Sequence, residues 1–213
     1  MTAPAREDPL RAKLARLDRV AAGQEPTAIL EEALGDESLV VRARAASVAA
    51  AQLDPRRLVL LVAQGSSLAR RSGAMDALVR AGPRALPAVL AGSQSGQRDE
   101  VRFCLQVLGR VDAPEARAAL RRAAAHPDRE LRQTAFEALG VQKDPEAVPM
   151  LLGALEGDPW AAFAAIWALG EIGDRRAVAA LRDLHGQELF QEAIEAALVR
   201  IERPSAAGGA ANA

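Results

Sequence analysis

The chain has 213 residues, half of them hydrophobic, with 27 basic against 28 acidic side chains and a formal net charge of −1. That balance excludes a global field drawing the chain to nucleic acid or to an anionic bilayer. A single cysteine, Cys104, excludes an internal disulfide and a cysteine-based metal cluster. Aromatic residues are 3% of the chain and Tyr is absent, so Ala and Leu must fill the interior. That composition suits close helix-to-helix contact and high helix propensity. Nearly all the basic residues are Arg; Lys13 and Lys143 are the exceptions.

The first predicted helix runs from about Pro9 to Ala22, with Leu10, Leu14 and Leu17 on one face. Arg11, Lys13, Arg16 and Arg19 occupy the rest, as expected of a solvated face on an end unit. Gly23 ends this helix, and Pro26-Thr27 opens a partner that closes near Gly35. Helix pairs then recur over 36–65, 66–92, 98–125, 126–155 and 156–184, after a first pair over 9–35. A last amphipathic helix at 188–201 reads as a cap, and residues 204–213 read as a disordered tail. Residues 1–203 are expected to form one repeat domain.

The period is close to thirty residues. Arg42 and Arg132 stand 90 apart, as do the dipeptides Asp54-Pro55 and Asp144-Pro145. Gly140 and Gly170 are 30 apart, and so are Asp144 and Asp174. A period in this range means stacked helical units, none able to bury its apolar face alone. The amino end, MTAPAREDPLRAKLARL, lacks the apolar stretch of a signal peptide, and no 18 apolar residues run together. The expected location is the cytoplasm.

The recurring pattern is an Asp, then Val-Arg, spaced alanines, Ala-Leu-Gly, a turn ending in Asp-Pro, and an apolar second helix. Asp158-Pro159-Trp160 through Ala168-Leu169-Gly170-Glu171-Ile172-Gly173-Asp174 follows it closely. In this the chain resembles HEAT repeats of the short bacterial, phycobilin lyase type. The resemblance covers about residues 36–184 and implies an all-α fold: a right-handed α-solenoid of about six HEAT-like helix pairs plus a carboxy-terminal capping helix. It is specific for fold and nearly silent on function, since the family supplies scaffolds as well as a few enzymes.

On the first helix of the fifth pair, Leu131, Thr134, Ala135, Ala138 and Leu139 are expected to be buried, with Glu130, Gln133 and Glu137 outside. Thirty residues on, those outer positions become Trp160, Phe163 and Trp167, half of all the Phe and Trp in the chain. Large aromatics on an outer helix face are expected to anchor a partner protein or a homodimer. The second helices are expected to line a concave groove with Leu60, Val89, Ala119, Met150 and Ala180 as its floor. Arg56, Glu146 and Arg176 would stand beside it. Such a groove suits a helix or an extended segment of another protein, and suits DNA poorly.

No chemistry is predicted. His126 and His185 occupy turn positions, and the paired His-Glu dipeptides that hold iron in hydroxylases of this repeat type are missing. Cys104 aligns with Ala135, a small core position. Asp36, Asp54, Asp112, Asp144, Asp158 and Asp174 read as turn and helix-cap residues. Neither a GxxxxGK[ST] nor a GxGxxG loop is present. The expectation is therefore a cytoplasmic adaptor that is not an enzyme and has no cofactor, metal, nucleic-acid or membrane partner. A bilin lyase subunit or related chaperone is the alternative that the resemblance implies.

Overall fold

The computed structural model describes residues 8–65, 67–184 and 188–202. The expected disordered tail and the turn at His185 lie outside the described residues. All regular structure among the described residues is helical, an α-solenoid type of architecture in which short helices alternate along the chain. The chain divides into two compact units, Met1–Val107 and Leu108–Ala213. In the first, α1 (Pro9–Ala21), α3 (Leu39–Gln52) and α5 (Leu68–Ala81) pack side by side. Their partners are α2 (Ala28–Ala33), α4 (Pro55–Gln64) and α6 (Leu86–Gly92), and α7 (Arg98–Leu108) closes the unit. In the second, α9 (Arg129–Val141), α11 (Pro159–Ile172) and α13 (Gln191–Glu202) pack in succession. Their partners are α8 (Pro114–Ala123), α10 (Val148–Ala154) and α12 (Val178–Asp183).

Helix starts follow from one dipeptide. Asp8-Pro9, Asp54-Pro55 and Asp158-Pro159 each put Pro at the first helical position, where its missing N–H costs nothing. The Pro in turn holds the preceding Asp out of helical geometry, as an N-cap requires. Asp54 Oδ1 accepts from the Arg56 N–H at 2.9 Å, and Asp144 and Asp174 accept from Glu146 and Arg176 in the same way. Two of the expected caps differ. Asp112 receives the Arg117 guanidinium at 2.7 Å instead, and Asp158 makes no side-chain cap bond.

The Val-Arg arginines have a specific task. Arg42 Nη1 donates to the carbonyls of Asp36 and Glu37, six and five residues back. Arg132 Nη1 donates to those of His126 and Pro127, at the same offsets. Each guanidinium thus ties down the loop that enters its own helix. A second set of bonds joins consecutive repeats. Gln52 bonds the carbonyls of Val20 and Ala21 at the end of α1, and Arg84 those of Ala50 and Leu53 at the end of α3. Gln142 does the same for Leu108 and Val111 after α7. Carbonyls left over at a helix end are thereby satisfied from the next repeat.

Leu131 is 3% exposed and Thr134, Ala135, Ala138 and Leu139 are buried, while Glu130 and Glu137 face solvent, as the periodicity requires. The Leu-Gly glycines are packing residues, not helix terminators. A Cβ on Gly109 would lie 2.9 Å from Ala138 Cβ, one on Gly140 2.9 Å from Ala168 Cα, and one on Gly170 2.8 Å from Ala197 Cα. Successive first helices therefore meet backbone against backbone. Helix termination falls elsewhere. Gly173 ends α11 at φ 74°, and thirty residues earlier Lys143 takes the matching left-handed turn at φ 49°.

Three substitutions test this account of the backbone. Gly140→Ala should lower stability by about 1–3 kcal/mol in urea unfolding, because its new methyl meets backbone. Gly153→Ala on α10, where nothing lies within 4 Å of the new methyl, should instead raise stability by ~0.5–1 kcal/mol. Lys143→Gly should raise it by roughly 0.5–1 kcal/mol, since only Gly adopts this backbone without a Cβ penalty.

Candidate functional site

The outer face of α11 carries Trp160 and Phe163 one turn apart, 62% and 49% exposed. Helical spacing puts both side chains on one stripe. The turn that leads into α13 brings Leu189, 70% exposed, and the buried ring of Phe190 against them. With Pro159 these residues line an open apolar cleft of about 390 Å³ in the second unit. Trp167 is half-buried. Its Cζ3 stands 2.8 Å from where a Cβ of Gly140 would be, so this ring fills the space that the glycine leaves on α9. The three aromatics therefore divide: Trp160 and Phe163 open to solvent, Trp167 seated against the neighbouring helix. Leu189 and Phe190 escaped sequence reasoning because they lie in a turn, where no periodicity marks a face. Phe190, as one of only six Phe and Trp residues in the chain, was the available signal.

A second cleft, about 520 Å³, lies in the first unit between α4 and α6. Arg56 and Leu60 line it. Val89 does not serve as floor: it is 1% exposed, and Pro87, Ala88 and Ala91 take its place. The physical reason is register. Val59 and Val89, 30 apart, are both buried, so the open position after Leu60 is displaced by one residue. Ala119 is likewise buried at 5%, because Ala116 and Ala119 match Val148 and Leu151 at a spacing of 32.

In the second unit, Met150 is half-buried and Glu146 is exposed. Glu146 stands 3.1 Å from Arg121, whose guanidinium also holds the buried carboxylate of Asp144 at 2.5 Å. Arg176 is a brace. It bonds both carboxylate oxygens of Asp174 and the Pro145 carbonyl, and its hydrogen bonds hold the Asp174 carboxyl below the ordinary carboxylate range. Burial, helped by Glu100, pushes the Cys104 thiol up to about 12, so it remains an un-ionised core group. His126 Nδ1 accepts the Asp128 N–H in a turn. Among the described residues no three His, Cys, Asp or Glu side chains gather as a metal would need, and no helix is long and apolar enough to cross a membrane.

A family model described as HEAT repeats matches residues 102–162 and 142–199. No curated protein matches the chain in sequence. Solved structures do match in fold. An X-ray structure of YibA from Escherichia coli is 18% identical at a TM-score of 0.54, over 93% of this chain and 78% of that one. An engineered protein is 17% identical at 0.52, over 92% and 97%. Human deoxyhypusine hydroxylase in complex with glycerol is 18% identical, over 92% of each chain, at a TM-score of 0.42.

This last match corrects one expectation. A chain that is not an enzyme does not follow from the architecture, because an enzyme stands among the proteins it resembles. At that TM-score the hydroxylase transfers neither residues nor activity. The bilin lyase class receives no support from the matches. What the matches do support is narrower: a model of HEAT repeats matches residues 102–199, just under half of the chain, and the two solved structures at TM-scores above 0.5 share its fold.

Proposed function

We propose that this chain is a protein-interaction scaffold whose main docking surface is the aromatic cleft of the second unit. HEAT repeats generally serve as protein-interaction scaffolds. The observation that carries the reading is the joint exposure of Trp160, Phe163 and Leu189 around one apolar cleft. Water-facing aromatics in a chain with so few are poorly explained by packing alone, and apolar side chains so grouped are the usual anchors of an interface. The cleft between α4 and α6, with Arg56 and Leu60 at its side, is a second surface suited to an extended segment.

Magnitudes limit how tight such docking can be. Covering the open parts of the three side chains removes roughly 350 Å² of apolar surface. At ~25 cal/mol per Å² that is about 9 kcal/mol gross. Association costs on the order of 4–15 kcal/mol, so the partner's own apolar surface must supply most of the surplus. The cleft alone supports a modest, reversible contact, and high affinity needs a second surface.

The test is the Trp160→Glu/Phe163→Glu double variant, used beside the wild type to capture partners from extract of the native cell. The expected outcome is loss of the captured partner with a thermal midpoint lowered by no more than ~2–4 °C, since both side chains are largely exposed. A partner retained while the midpoint collapses would make the pair structural and end the reading.

A further inference from the structure

Charge around the aromatic cleft is one-sided. Glu188 directly precedes Leu189 in the chain, Glu192 follows it by three residues, and Glu156 precedes Trp160 by four. All three are exposed, and among the described residues none makes an ion pair. On α9, which packs on α11, the positions thirty residues before Trp160, Phe163 and Trp167 are Glu130, Gln133 and Glu137. Gln133 Nε2 donates to Glu137 Oε1 at 3.1 Å, which leaves the carboxylate its charge.

The basic groups of α9, α11 and α13 are Arg129, Arg132 and Arg200, and each is engaged. Arg129 stands 3.9 Å from Asp158, Arg132 holds loop carbonyls, and Arg200 bonds Glu171 at 3.0 Å. The residues of the apolar cleft are thus bracketed along the chain by open carboxylates, Glu156 before α11 and Glu188 and Glu192 around Leu189, in a chain whose net charge is close to zero.

We propose, building on the docking reading above, that the occupant of this cleft is a basic amphipathic segment of another protein. Its apolar side chains fill the space between Trp160, Phe163 and Leu189, and its Lys and Arg side chains face Glu156, Glu188 and Glu192. The apolar contact supplies affinity. The carboxylates select the sign of the partner's charge, since a like-charged segment would carry its own carboxylates against theirs. An acidic amphipathic segment with the same apolar face is rejected.

The experiment uses the whole chain and two synthetic helical peptides with identical Leu positions, one otherwise all Lys, the other all Glu. Binding is read from the blue shift of Trp160 emission and by calorimetry. The Leu/Lys peptide should bind and the Leu/Glu peptide should bind at least about tenfold more weakly. Raising salt from ~0.05 to ~0.5 M should weaken the Lys complex several-fold, because these charges lie in water. Glu156→Gln/Glu188→Gln/Glu192→Gln should weaken it by roughly tenfold while leaving the fold intact.

Equal binding of both peptides would overturn the charge selection and leave the apolar docking site standing. Binding of neither would overturn both. Leu/Lys binding that survives Trp160→Glu/Phe163→Glu would place the attraction elsewhere on the surface, and would likewise end the proposal.

Discussion

Contact of backbone with backbone between successive first helices is the constraint on which the rest depends. At Gly109 and Ala138, Gly140 and Ala168, and Gly170 and Ala197, the second unit leaves no room for a methyl between neighbours. Such approach is available only to Gly and Ala, and it explains the alanine-rich faces of α9 and α11 better than helix propensity does. It also explains where large side chains can go. α11 buries five alanines and a glycine, so its Trp and Phe residues fall on the faces that remain. Trp167 has the one partial refuge, over Gly140. The cleft that results is a by-product of tight packing on the opposite side of the same helix.

Much of the fold was legible because the period is written several times over. The alternation of helices recurs along the chain, and Leu131 is enclosed while Glu130 and Glu137 are open. The burial of Cys104 was legible too, since its counterpart Ala135 sits at the same depth. Register within a repeat was less legible. A shift of one residue turns a helix by about 100°, enough to carry Val89 and Ala119 from an open face to a closed one. In repeat three the 3₁₀ turn Gly82–Arg84 follows the first helix directly, whereas Pro145–Ala147 in repeat five comes three residues after its own, and repeat four differs in length, so offsets carried over from repeat five failed there. The Asp residues show the same limit: sequence placed all six at turns, but only geometry separates caps such as Asp54 from Asp112, which binds an arginine.

The two clefts differ in kind. In the first unit, the walls near Arg84 are already committed, because that guanidinium is bonded to the end of α3. What remains there is small and apolar, between Leu60 and Ala91. In the second unit, the rings and Leu189 have no such commitments. Arginine chemistry therefore serves the scaffold in both units, in Arg42, Arg84, Arg132 and Arg176, which leaves acidic groups to dominate the open rim.

The carbonyl clamps impose an order on assembly. Gln52, Arg84 and Gln142 each bond a helix end that lies 31 to 34 residues earlier in the chain. A helix emerging during synthesis must therefore wait for the following repeat before its last turn is completed. At ~5–20 residues per second that delay is roughly 2–6 seconds. Through that interval the newest helix ends in raw carbonyls held only by water, so the growing end of the nascent chain is always its least finished part.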